Sequence, residues 1–146
     1  MLGISNRFLP LIALCAFATS CTPPISTQLP SMMTVSATRP TDWPLAPVAA
    51  ADAAPAIARI WMSTLQLHQG ESFDGAILTG TNVASVEVRT ASFSINVPRT
   101  SFGHFAFHLK AIALPSFIKH TYVLWIIARN TAGTQDRQTA YLDVGD

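Results

Sequence analysis

The chain has 146 residues, a formal net charge of +1, 49% apolar side chains and only 12% charged ones. Charge this sparse and balanced excludes the basic patch that nucleic acid requires and electrostatic docking on anionic lipid. Both cysteines, Cys15 and Cys21, fall within the first 21 residues. The folded part must therefore be held by an apolar core without a disulfide.

Residues Met1 to Cys21 read as an export signal. Arg7 supplies a short positive start, and Phe8 to Ala18 supply an apolar run too short for a permanent bilayer span, which takes about 20 residues. Ala18-Thr19-Ser20-Cys21 closes the segment. It resembles the lipobox of bacterial lipoproteins, which implies cleavage before Cys21 and acylation of its thiol. Ala18 stands where that motif usually carries Leu. Ala16-Phe17-Ala18 also forms an A-x-A site, whose cleavage would release a soluble chain from Thr19 with Cys21 free. Either cut before Cys21 removes Arg7 and leaves eight basic against eight acidic side chains.

Residues 21–57 follow as a linker rich in Pro and Ala. Residues 22–57 carry seven of the ten prolines. Prolines this dense remove backbone donors and push their neighbours into extended conformations, so neither helix nor sheet is expected to propagate. The polyproline II limit of ~3.1 Å per residue gives a reach on the order of 100 Å. Trp43 is unusual in a linker. It is read as folding back onto the domain, with a partner or lipid anchor as the alternative.

Beyond residue 58 the apolar period becomes two. Candidate strands are Arg59–Leu67, Ser72–Thr79, Ala84–Arg89, Ser92–Val97, His104–Leu109, Tyr122–Ala128 and Ala140–Val144. Alternation points Phe93, Ile95 and Val97 inward, places Val86 and Val88 opposite Glu87 and Arg89, and sends His104 and His108 outward. Tyr122–Ala128 is apolar on both faces, as a central strand requires. Turn formers separate the strands, including Gly80-Thr81-Asn82, Pro98-Arg99-Thr100 and Thr131-Ala132-Gly133. The predicted class is all-β: one sandwich of about seven strands over residues 58–146.

Two motifs carry a family resemblance. Tyr122-Val123-Leu124-Trp125-Ile126-Ile127-Ala128-Arg129-Asn130-Thr131-Ala132-Gly133, with Thr139 to Val144 after it, resembles the closing strands of bacterial Ig-like domains. Gly103-His104-Phe105-Ala106-Phe107-His108-Leu109, with Leu114-Pro115 beyond, is similar to the preceding strand of those domains. The resemblance covers roughly residues 70–144. It implies an Ig-like sandwich without the antibody-type disulfide, acting as a spacer, adhesive unit or assembly module. Gly133 can supply the positive φ such a hairpin needs.

Chemistry-bearing patterns are few. His104 and His108 share a strand face but stand about 13 Å apart, too far to chelate one ion directly. A metal site would need His68 or His120 from another strand. No G-x-S-x-G elbow or glycine-rich phosphate loop occurs, and Asp74 and Glu87 read as ordinary strand-face charge. The expectation is a protein without catalytic residues, metal or cofactor.

Binding has two candidate locations. Leu114, Phe117 and Ile118 lie in an unusually apolar connection, which either plugs the open end of the sandwich or docks a partner. An unpaired sheet edge, in Arg59–Leu67 or Ser92–Val97, is the other. The combined expectation is a signal peptide (1–20), an acylated Cys21 with its linker (21–57), and an Ig-like domain (58–146). Such a protein would be tethered by lipid in a bacterial envelope and bind an envelope protein as an accessory or scaffolding subunit. Thr22 after the cysteine, in place of Asp, implies by resemblance to enterobacterial lipoproteins the outer membrane, facing the periplasm. The alternative is a secreted or periplasmic soluble domain that binds a small ligand or metal through its histidine-bearing face.

Overall fold

The computed structural model describes residues 32–110 and 120–145. The signal segment, Cys21, and the Leu114, Phe117 and Ile118 connection lie outside them. Ten strands are described: β1 (Met32–Val35), β2 (Ile57–Met62), β3 (Gln66–Leu67), β4 (Ser72–Thr79), β5 (Val83–Arg89), β6 (Ser94–Val97), β7 (Arg99–Ser101), β8 (His104–Lys110), β9 (Thr121–Asn130) and β10 (Gln135–Val144). Among the described residues there is no helix.

The strands form two five-stranded sheets, ordered β1-β2-β4-β8-β7 and β3-β10-β9-β5-β6. Setting β1 and β3 aside, β2-β4-β8-β7 opposed to β10-β9-β5-β6 is the A-B-E-D over G-F-C-C′ order of an immunoglobulin sandwich. β9 is central in its sheet, as its two apolar faces required. The expected Arg59–Leu67 strand is broken in two. It leaves the first sheet at Met62, and β3 joins the second sheet parallel to β10. Ser63 and Thr64 make the crossing possible by hydrogen bonding locally: Ser63 Oγ accepts the Asp74 N–H, and Thr64 Oγ1 accepts the Gln66 N–H.

The core fills the space between the sheets with Ile60, Met62, Phe73, Ile77, Val86, Val88, Phe105, Leu124 and Ile126, among others. Fully burying one such side chain stabilises by about 1.5–3 kcal/mol. Gly75 faces Phe107 across the β4–β8 pair, and the ring lies over the space a Cβ would occupy. Phe107 then meets Phe73 in a tilted pair with centroids 5.4 Å apart. Phe93 precedes β6, in the Thr90–Phe93 turn, and is half-exposed at the rim of the space between the sheets, which Ile95 also lines. Thr90 Oγ1 accepts both the Ser92 and Phe93 N–H groups there.

The β9–β10 hairpin forms through Asn130 and Gly133. Gly133 adopts φ 82, its N–H donates to the Asn130 carbonyl, and Asn130 Oδ1 accepts the Thr134 N–H. β10 begins at Gln135, earlier than the apolar alternation indicated. Its polar start is stitched in by buried Asp136, which accepts the Ile57 N–H at 2.7 Å.

The proline-rich segment is where the structure departs most from the linker expectation. Met32–Val35 pairs in parallel with Arg59–Met62, and the residues after it form a strap over the first sheet. Trp43 stands between two guanidiniums, Arg39 at 5.4 Å and Arg59 at 6.0 Å from its ring centroid. Pro47 accepts the Thr81 N–H and Ala56 the Gly80 N–H, while Ala53 accepts the side-chain amides of Asn82 and Asn130. Proline denies a segment its own ladder but leaves its carbonyls free to accept from a neighbour. The expected ~100 Å reach therefore does not apply from residue 32 onward.

Candidate functional site

The strap makes the two outer faces of the sandwich unequal. On the first sheet, Trp61, Ala76 and Leu78 occupy outward positions yet are buried. Trp43 lies against Arg59, which the register sets beside Leu78, so the chain covers its own face here. His104, on the same face, is partly buried. Burial, and secondarily the nearby charge of Arg39, holds its imidazole below the usual histidine range.

The second sheet has no such cover among the described residues. Alternation sends Leu124, Ile126 and Ala128 of β9 into the core and leaves Val123, Trp125, Ile127 and Arg129 on the outside, where Ile127 is nonetheless buried. β10 contributes Arg137, Thr139 and Tyr141 to the same face. The register sets Tyr141 beside Val123, Thr139 beside Trp125 and Arg137 beside Ile127. Tyr141 is 61% exposed and Val123 37%.

One end of this face is organised by Glu87, which points outward but is buried by its neighbours. Arg89 donates through Nε to one carboxylate oxygen at 2.9 Å, and Arg129 through Nη1 to the other at 2.7 Å. The Arg129 hydrogen bond is the main reason the carboxyl titrates below the usual range, with Arg89 adding to it against the opposing effect of burial. Arg89 is thus fixed opposite Trp125 and Arg129 beside Glu87, and Arg137 adds a third basic group to a face whose carboxylates are Glu87 and, at the far end of β10, Asp143. Trp, Tyr and Arg on a rigid sheet are the side chains that dominate binding energy at protein interfaces. Val123 and Tyr141 were not singled out from sequence, because their adjacency depends on register.

At the end of the sandwich where β8 stops and β9 starts, an apolar cavity of about 280 Å³ lies between the sheets, bordered by Leu67, Phe73, Val88, Leu124 and Leu142. Phe93, Lys110 and Tyr122 also line it. Burial raises the Tyr122 phenol above its usual range. The connection holding Leu114, Phe117 and Ile118 joins Lys110 to His120, whose neighbour Tyr122 is one of those lining residues. The contacts of those three residues lie outside the described residues.

The histidines do not converge. His108 Nδ1 is 2.6 Å from Asp74 Oδ1, and the His120 ring stacks on Tyr122 at 4.0 Å. His68 lies in the turn after β3, where its N–H donates to Glu71 at 2.9 Å. Among the described residues no three His, Cys, Asp or Glu side chains group as metal ligands would. The ordered carboxylates there serve structural partners: Glu87 its two arginines, Asp74 His108, and Asp136 the Ile57 backbone. No helix among the described residues is long and apolar enough to cross a membrane.

No family model matches the chain, and no curated protein matches its sequence. Among solved structures it is similar to a superoxide reductase (neelaredoxin) from Ignicoccus hospitalis, with 13% identity and a TM-score of 0.42, over 63% of this chain and 80% of that one. At that level the similarity assigns neither an activity nor a metal to this chain.

Proposed function

We propose that this protein is a membrane-tethered, non-catalytic Ig-like interaction module, an accessory or scaffolding lipoprotein of a bacterial envelope assembly. Its anchor would be acylated Cys21 in the outer membrane, with the domain facing the periplasm. The observation that carries the reading is the asymmetry of the sandwich. One outer face is occupied by the chain's own strap, while the other presents Val123, Trp125 and Tyr141 beside ordered arginines. Leu114, Phe117 and Ile118 are kept as a second candidate contact from sequence. With Met32 already paired to the sheet, residues 21–31 are what separates the anchor from the folded domain. The partner face would then work close to the membrane.

Crosslinked co-purification from native membranes, with a tag after Asp146, tests the binding role. A defined set of envelope proteins that is lost on Tyr141→Asp supports the role and locates the contact on the second sheet. The same loss on Phe117→Asp, in a folded protein, would move the contact to the connection. Recovery of the protein alone across crosslinker lengths would overturn the proposal. Intact mass separately tests the anchor: diacylglycerol on Cys21 supports it, and a bare Thr19 terminus contradicts it.

A further inference from the structure

The end of the sandwich opposite the cavity carries three large apolar side chains in open solvent: Leu45 and Val48, each 93% exposed, and Phe102, 74% exposed. They come from two loops held together. A Cβ at Gly103, beside Phe102, would run into Ala46 and lie 2.7 Å from the Thr79 carbonyl. The Thr81 N–H donates to Pro47 at 2.9 Å, and the Ala49 N–H donates to Thr81 Oγ1 at 3.0 Å. The backbone is thus pinned on both sides of Val48, so these side chains are held outward by an ordered frame. Large apolar groups held outward at one end of a domain in this way mark a surface that meets something apolar.

The direction of the chain indicates what that is. β1 runs parallel to β2, with Met32 opposite Arg59 and Val35 opposite Met62. β2 begins at this same end, where Ile57 pairs with Thr79. The start of β1 is therefore its end nearest Leu45, Val48 and Phe102. Arg99 lies 6.0 Å from the Phe102 ring, but its guanidinium donates to the Val83 and Ala84 carbonyls, so it braces the tip and the apolar side chains carry the contact. Asp52 on the adjacent turn is exposed, so attraction to anionic lipid is not the main driving force.

We infer that Leu45, Val48 and Phe102 form an apolar tip that inserts into the bilayer surface, fixing the domain's orientation beneath its tether. The orientation rests on the lipid-anchor reading, whereas affinity of the tip for a bilayer does not. The mature chain with Cys21→Ser, which cannot be acylated there, is mixed with phosphatidylethanolamine–phosphatidylglycerol vesicles and its partition measured by sedimentation. Combined Leu45→Ser, Val48→Ser and Phe102→Ser is expected to weaken that partition at least tenfold with the melting temperature retained. An unchanged partition, or no measurable partition of the parent chain, would overturn the inference. In the acylated protein, a fluorophore on Val48→Cys should be quenched by shallow doxyl lipid, and one on Glu71→Cys at the other end should not. Equal quenching at both sites while the protein floats with the vesicles would overturn the orientation, as would crosslinking of Val48→Cys between copies. Failure to float, with no acyl mass on Cys21, would count against the anchor alone.

Discussion

Replacing Trp43 by Ala should release the strap without unfolding the sandwich. Trp43 is half-buried. An enclosed Trp buries about 150–250 Å², so about 100 Å² is covered here, giving about 2.5 kcal/mol at ~25 cal/mol per Å². The two flanking guanidiniums add about 0.5–1 kcal/mol each at a partly exposed site. The indole Nε1 is buried without a partner among the described residues, which offsets about 1 kcal/mol. The balance is about 3 kcal/mol, or about 100-fold in the equilibrium between docked and open strap. Hydrogen exchange reads this directly. The Thr81 and Ser36 amides, which donate to Pro47 and Met62, should exchange about 100-fold faster, while Ile126 in the central strand keeps its protection. Trp43→Phe keeps the ring and removes the orphaned donor, so it should stay within about 1 kcal/mol of the parent. Unchanged strap exchange in Trp43→Ala, or equal acceleration at every amide, would refute the reasoning.

Three further outcomes follow from packing and charge. Gly75→Ala would force a methyl into the Phe107 ring and should cost about 1–3 kcal/mol, seen as a lower melting temperature. In a Phe107→Leu background the added cost should fall by about 1 kcal/mol or more, and strict additivity would argue against the contact. His104 is held below its usual value of 6.5, so the fold prefers the neutral ring. The stability this gives is complete above about pH 6.5 and is lost as pH falls toward the lowered value. His104→Gln should remove that decline from melting temperatures measured between pH 7 and 5. Glu87 has the carboxylate form of the same linkage, with stability present above its usual 4.5 and lost as pH falls through its lower folded value. Glu87→Gln should cost about 2 kcal/mol through its weakened bonds to arginine and flatten the acid limb of denaturant-measured stability.

Local rules made much of the sandwich legible. Alternation at Val86 and Val88, at Phe105 and Phe107, and at Leu124, Ile126 and Ala128 identifies core faces, because period two is a property of the strand itself. Asn130 and Gly133 mark the hairpin, since few residues take the φ it needs. What was not legible depends on distant partners. Met32–Val35 has no alternation and becomes a strand only by pairing with β2. Proline density describes a segment's own backbone and is silent on the Thr81 and Gly80 amides that its carbonyls satisfy. Asp136 looks like a loop residue until the Ile57 N–H gives it a buried role. The exposed face was partly visible, since Trp125, Arg89 and Arg129 stand at outward positions, but bringing Tyr141 beside Val123 requires the β9–β10 register.

The central claim is that the outer face of the second sheet, uncovered among the described residues, is a partner-binding surface. A photo-crosslinking residue at Trp125 or Tyr141, in cells expressing the full chain, tests it most directly, with Thr38 on the exposed strap as the comparison. The account predicts discrete adducts to one or a few envelope proteins from positions 125 and 141, and none of those adducts from position 38. Adducts absent at both sheet positions, or the same adducts from all three, would contradict it.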